Sequence, residues 1–187
     1  RDLDGIKLFI FDLDGTIASL QINWEEVREK IRKVLKTNQS LIPLIPSIEQ
    51  LAIDSKVKKR IYQTINNEEM KIVKKLKSDK TVVKLFKRLK ELDYSLALVT
   101  LQGRKPAIEA LRRLGIHEYF DLVVSRDEKK DREDQIEAAL ETINVQPSQA
   151  VVVADKLKDM QVAKKIGCKS IAISDKLEID ADFKLSN

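Results

Sequence analysis

The chain has 187 residues, 43% of them hydrophobic and 35% charged, with a formal net charge of +5. That length supports one substantial core with room for a small inserted unit, and no apolar run approaches the roughly 20 residues that a membrane span requires. A single cysteine and a single histidine exclude an internal disulfide framework and leave zinc sites, Cys-His and Ser-His-Asp catalysis poorly supported.

The start, Arg1-Asp2-Leu3-Asp4, lacks the basic-then-apolar plan of a secretory leader. The first predicted strand runs from Lys7 to Asp12, and its apolar stretch Leu8-Phe9-Ile10-Phe11 reads as a buried strand of a parallel sheet. It ends in Asp12-Leu13-Asp14-Gly15-Thr16. Ligands of open α/β sheets bind just past the carboxyl ends of the strands. Residues two apart on an extended segment point the same way, so Asp12 and Asp14 can converge on one ligand, and Gly15 permits a sharp turn after them.

The interval before the next strand is too long for one crossover. It carries a helical stripe of Trp24, Val27, Ile31, Val34 and Leu35, then a break marked by Ser40, Pro43 and Pro46. A second helical pattern spans about Lys56 to Lys77. We read residues 17–79 as a small all-helical unit inserted into a sheet domain made of residues 1–16 and 80–187. This insertion holds 13 basic and 8 acidic residues, so it carries the whole excess of positive charge. Such an excess attracts an anionic substrate, or it is the solvated face of Lys-rich helices; the sequence leaves both readings open.

Val82, Phe86 and Leu89 mark the helix before a second strand, Ser95 to Thr100. Pro106 and Gly115 bracket a helix over Ala107–Leu114 by the Pro-first, Gly-last asymmetry. A third strand is predicted at Asp121–Ser125, followed by the charged run Lys129-Lys130-Asp131-Arg132-Glu133-Asp134. A helix carrying Ile136, Ala139, Leu140 and Ile143 then opens at Asp134. A fourth strand, Ala150–Asp155, leads into a turn with two acids four apart, Asp155 and Asp159, and a stripe of Met160, Ala163 and Ile166. Cys168 reads as a packed, inert thiol ahead of a fifth strand at Ser170–Ile173. Strands alternating with helices give an α/β fold, a Rossmann-like parallel sheet flanked by helices and joined by right-handed crossovers.

These residues, in this order, resemble the haloacid dehalogenase (HAD) superfamily of hydrolases, in particular the phosphoglycolate phosphatase-like type with a helical cap directly after the first motif. The resemblance covers about Ile6 to Ile173, the cap matching by position and helical character. It implies a Mg²⁺-dependent phosphomonoesterase acting on a small phosphorylated metabolite, with phosphoglycolate the family-level expectation. Asp12 would be the nucleophile that forms an aspartyl-phosphate, and Asp14 the general acid and then base. Thr100, with the backbone around Leu101, would bind the transferring phosphoryl group, and Lys130, with Lys129 in reserve, would neutralise both phosphate and nucleophile. Mg²⁺ would be held by Asp12, Asp14 (through its backbone carbonyl) and Asp155, with Asp159 anchoring the site from behind. Lys130→Ala should then lower phosphatase rate far more than Lys129→Ala. The sequence departs from the pattern at Leu101, where relatives have Asn, at Asp131, where they have Pro, and at Ala154, where they have Gly. Where the chain stops, at Asp182–Asn187, relatives often continue into another short element.

Two further readings share these motifs. A phosphomutase of the same superfamily uses the same residues, and a catalytically reduced HAD-fold binding or regulatory module would account for the three departures. Nucleic acid is disfavoured despite the pI of about 9.1, because aromatic residues are only 5% and no stacking residues interleave the basic segment. Cysteine usage fits a reducing, cytoplasmic setting, and abundant Lys, Glu and Ile with few Gly is compatible with a heat-adapted source.

Overall fold

A computed structural model describes residues 3–173 and 180–185; Arg1 and Asp2 of the start and Ser186 and Asn187 of the tail lie outside them. Six parallel strands form one sheet: β1 (Leu8–Phe11), β2 (Ser95–Val99), β3 (Leu122–Val124), β4 (Ala150–Ala154), β5 (Lys169–Ile173) and β6 (Phe183–Leu185). Their spatial order is β3-β2-β1-β4-β5-β6. The chain builds outward from β1 on one side and then crosses back to β4 on the other. The strand order therefore reverses between β1 and β4, which opens a crevice at their carboxyl ends. β1 and β4 are in register from Leu8 opposite Ala150 to Phe11 opposite Val153.

The strands are apolar throughout most of their length because both faces are covered and each residue finds a partner on one or the other. Leu8 and Ile10 of β1 join Ala97, Val99, Ala150 and Val152 in a cluster under α6 (Arg132–Ile143) and α7 (Leu157–Ile166). Phe9 and Phe11 point the opposite way, into a second cluster with Leu96, Leu98, Val151 and Val153, beneath α4 (Lys80–Glu91) and α5 (Arg104–Leu114). Aromatic rings reinforce this face: Phe11 meets Phe86 with centroids 5.0 Å apart, and Phe9 meets Tyr94 edge-on at 4.8 Å.

The interval after β1 holds α1 (Trp24–Leu35), α2 (Leu44–Leu51) and α3 (Ser55–Val73). These helices have their own apolar cluster, built on Val27, Ile31, Ile48, Ile61 and Ile65. The carboxyl end of α3 leaves that cluster: Met70, Ile72 and Val73 pack with the sheet's aromatic face. α2 replaces the expected break. Pro43 is its N-cap and Pro46 its third residue, and a helix's first turn has no intrahelical use for the N–H that proline lacks. Two other expectations shift. α5 begins at Arg104, so Pro106 again sits in a first turn, and α6 begins at Arg132 rather than Asp134, because the Asp131 carboxylate accepts from Glu133 N–H and caps the helix. β6 was not singled out in the sequence.

Candidate active site

β1 delivers Asp12 and β4 delivers Asp155 to the crevice, with Asp12 N–H donating to Val153 O at 3.0 Å. Asp159 comes from the first turn of α7 and is buried. Carboxylate oxygens of Asp12, Asp155 and Asp159 lie within 4.8 Å of one another. Asp14 folds back: its Oδ1 accepts from Leu20 N–H at 2.7 Å, and Gly15 N–H donates to Ala18 O. Gly15 has φ +85°, and a Cβ there would run into the Asp155 carboxylate, so this turn requires glycine on both counts.

Arg132, the first residue of α6, is the group the sequence did not single out. It is 6% exposed. Its Nη2 donates to Asp12 Oδ1 at 2.8 Å, its Nη1 donates to Val99 O at 2.6 Å, and its Nε lies 3.0 Å from Asp159 Oδ1. Burial disfavours its charge, but the Asp12 and Asp159 carboxylates outweigh that and hold its pKa above the ordinary guanidinium value. Lys130 is not brought to Asp12. It pairs with Glu49 of α2 at 3.3 Å and lies 5.5 Å above the Tyr62 ring, 44% exposed. The reason is helix phase: with Asp131 as the cap, the next residue enters the sheet crevice while Lys130 stays outside. An Asx cap was legible in the charged run and would have pointed to Arg132.

The second-strand end behaves differently again. Thr100 is fully buried, and its hydroxyl donates to the Gln102 side chain while accepting from Gln102 N–H at 3.2 Å. The Leu101 carbonyl accepts from Arg126 Nη1 at 2.6 Å. Arg126 is itself buried, and also donates to Glu69 of α3 at 2.7 Å and 3.1 Å and to Asn66. Gly103 N–H donates to the same Glu69 carboxylate. A buried ion pair thus fastens α3 to the loop after β2. Sequence reasoning missed it because Glu69 and Arg126 are 57 residues apart.

Electrostatics mark the acidic cluster. Burial, aided by the neighbouring carboxylates, raises the pKa of Asp14 against the Leu20 N–H and Lys156, and that of Asp155 and Asp159 against Lys156 and Arg132. Lys156 Nζ stands 4.0 Å from both Asp12 and Asp155. Among the described residues, Asp12 Oδ2, Asp155 Oδ1 and Asp159 Oδ2 are buried without a hydrogen-bond donor. Converging carboxylate oxygens without donors suit a hard divalent cation, so the donor set fits Mg²⁺. The Asp14 carboxylate is not part of that group.

The site opens into a cavity of about 310 Å³. Asp14, Arg132, Asp159 and Lys156 line its sheet end, and Trp24 with the Pro43–Pro46 stretch lines the end formed by the helical insertion. Among the described residues no helix is long and apolar enough to cross a membrane.

Comparison with known proteins agrees with this architecture. The chain is 27% identical to a pyrophosphatase PpaX of Bacillus cereus, over 90% of this chain and 83% of that one. It is 24% identical to a phosphoglycolate phosphatase of Neisseria meningitidis, over 92% and 82%. A crystal structure of β-phosphoglucomutase from Clostridium difficile shares the fold, with a TM-score of 0.74, 20% identity and coverage of 97% and 91%. The family described as haloacid dehalogenase-like hydrolase matches residues 9–173, and this chain belongs to it.

Proposed function

We propose that the protein is a Mg²⁺-dependent phosphomonoesterase that works through an aspartyl-phosphate on Asp12, with residues 17–79 acting as a cap over the site. The observation that carries this is the meeting of Asp12, Asp155 and Asp159 at the switch point of the sheet, with one guanidinium on Asp12 and a cavity beyond. Relatives named as phosphatases support it.

Arg132 engages Asp12 Oδ1, which leaves Oδ2 to attack phosphorus. The bond from phosphorus to the ester oxygen breaks as the new one forms, and its electron pair leaves on the alkoxide. Asp14, lining the cavity with a pKa raised chiefly by burial, gives its proton to that alkoxide. Water then attacks phosphorus, Asp14 takes the water's proton, and the Asp12 carboxylate departs, restoring the site and releasing phosphate. The Thr100 hydroxyl, with the backbone around Leu101 beside it, would bind a phosphoryl oxygen by exchanging Gln102 for it, while Lys130, paired with Glu49, leaves the neutralising role expected of it to Arg132 and Lys156. Mg²⁺ held by Asp12, Asp155 and the Asp14 carbonyl, with Asp159 behind, would offset charge on the phosphoryl oxygens.

The test is phosphate release from a panel of phosphorylated metabolites. Activity that needs Mg²⁺, disappears with chelator and is lost in Asp12→Asn is expected. Release that survives Asp12→Asn, or none from a folded protein across the panel, would overturn the reading.

A further inference from the structure

The cavity is chemically lopsided. Its cap end offers Trp24, Pro43, Leu44, Ile45 and Pro46, with Leu101 beside them, and no hydroxyl, amide or carboxylate of the cap lines it among the described residues. Apart from the Trp24 indole N–H, Gln102 is the one neutral polar side chain on the wall, and it is already bonded to Thr100.

The cations follow the same division. Arg28, the cap's only basic lining residue, is held by Glu25 at 2.8 Å. Lys130 is held by Glu49, and Arg126 by both oxygens of Glu69. Arg132 is committed to Asp12 and Asp159. The cations left for an incoming anion both follow β4, at the sheet end. Lys156 stands no nearer than 4.0 Å to Asp12 and Asp155, and Lys158 makes no ion pair among the described residues.

Resting on the phosphomonoesterase reading, we propose that the substrate carries a single anionic group, its phosphate, on an apolar alkyl or aryl alcohol. The phosphate lies at the sheet end and the apolar part lies against Trp24 and the Pro43–Pro46 stretch. Sugar hydroxyls, a carboxylate or a second phosphate would reach a wall whose one charged side chain, Arg28, is already paired with Glu25 and which otherwise offers only the Trp24 indole N–H, and an unpaired polar group is costly to desolvate. Apolar pockets reject an added hydroxyl only moderately, on the order of 100-fold, so the preference should be graded rather than absolute. This departs from the phosphoglycolate expectation and from pyrophosphate.

The experiment compares kcat/KM for hexyl phosphate, glucose 6-phosphate, 2-phosphoglycolate and pyrophosphate. The first two release primary alkoxides of similar basicity, so their ratio reports how the alcohol portion is held. Hexyl phosphate should lead each of the others at least tenfold, and Trp24→Ala should shrink its lead over glucose 6-phosphate toward unity. A lead for glucose 6-phosphate, phosphoglycolate or pyrophosphate would overturn the proposal, and loss of a phosphoglycolate or pyrophosphate lead in Arg28→Ala would locate a second anion site on the cap. Calorimetric titration of the wild-type protein with Mg²⁺ plus hexylphosphonate or 3-phosphonopropionate needs neither turnover nor a variant. Tenfold tighter binding of hexylphosphonate supports the apolar wall even if no ester is cleaved, in which case only the phosphomonoesterase reading fails. Equal or weaker binding of hexylphosphonate overturns the wall while leaving that reading intact.

Discussion

Arg132 holds the nucleophile candidate on one side and Asp159 on the other, and no other described cation lies within 4 Å of Asp159. Arg132→Ala should lower kcat/KM for phosphate release by at least 100-fold, whereas Lys130→Ala, which loses an exposed pair with Glu49, should stay within tenfold. Removing one partner of a buried ion pair is also destabilising, so the comparison needs Arg132→Lys, which keeps the charge but not the planar fork that spans two carboxylates. Partial recovery in Arg132→Lys, at unchanged circular dichroism, is the expected result of steady-state kinetics. Cys168 makes a second residue-scale case. Burial pushes its thiol from 9.0 up to about 11. The folded state therefore keeps the proton more tightly than the unfolded chain, and stability present below pH 9 is lost as pH rises toward 11. The loss is up to about 2 kcal/mol, from about 1.4 kcal/mol per pKa unit discounted for partial solvent access. Urea denaturation at pH 8 and pH 11 should show the gap between wild type and Cys168→Ala narrowing over that interval.

Among the elements, α3 matters most because it belongs to two cores. Its amino half packs with α1 and α2, its carboxyl end packs on the sheet, and Glu69 ties it to Arg126 and to Gly103 N–H. Burial raises the Glu69 pKa even against the pull of Arg126; the pair is held by the bonds that both Arg126 Nη groups and Gly103 N–H donate to the Glu69 carboxylate, while Arg126 Nε is buried without a partner. Glu69→Ala strands a buried guanidinium, at a cost of about 3–5 kcal/mol, which for a chain of this size is a Tm drop on the order of 10 °C. Glu69→Leu with Arg126→Met should regain part of that loss in thermal denaturation. Which elements could be read in advance follows from the same physics. β1 and β4 are unbroken apolar runs and β2 is one after Ser95, all covered on both faces, so their composition declares them. β6 is three residues at the sheet edge with Lys184 in the middle, and nothing in such a segment separates it from a loop. α2 was hidden because Pro43 and Pro46 look like breakers until the first turn is placed around them. In the site, acids at strand ends were visible as a pattern, while the choice between Lys130 and Arg132 depended on where one helix begins, a matter of a single capping residue.

For the whole molecule, the fold brings three acids together with less positive charge than they carry, since Arg132 pairs directly and Lys156 only at 4.0 Å. Without a cation this concentration of carboxylate should weaken the folded state at neutral pH, and the raised pKa of Asp155, due first to burial and then to Asp12, has that sign. A ligand that binds only the folded form adds stability as RT ln(1 + [L]/Kd), about 2.7 kcal/mol at a hundredfold excess over Kd. At about 2–4 °C per kcal/mol for a chain of this length, saturating Mg²⁺ should raise Tm by about 5–10 °C. Asp155→Asn separates the two effects because it moves them in opposite directions. It removes one of the crowded charges, so the metal-free protein should melt a few degrees higher than wild type, yet it also removes a ligand, so the Mg²⁺-dependent rise should largely vanish. Scanning calorimetry of both proteins with Mg²⁺ and with chelator measures all four values. If Mg²⁺ raised Tm equally in both, the ion would be binding elsewhere and the acidic cluster would owe its shape to packing and to Arg132 alone.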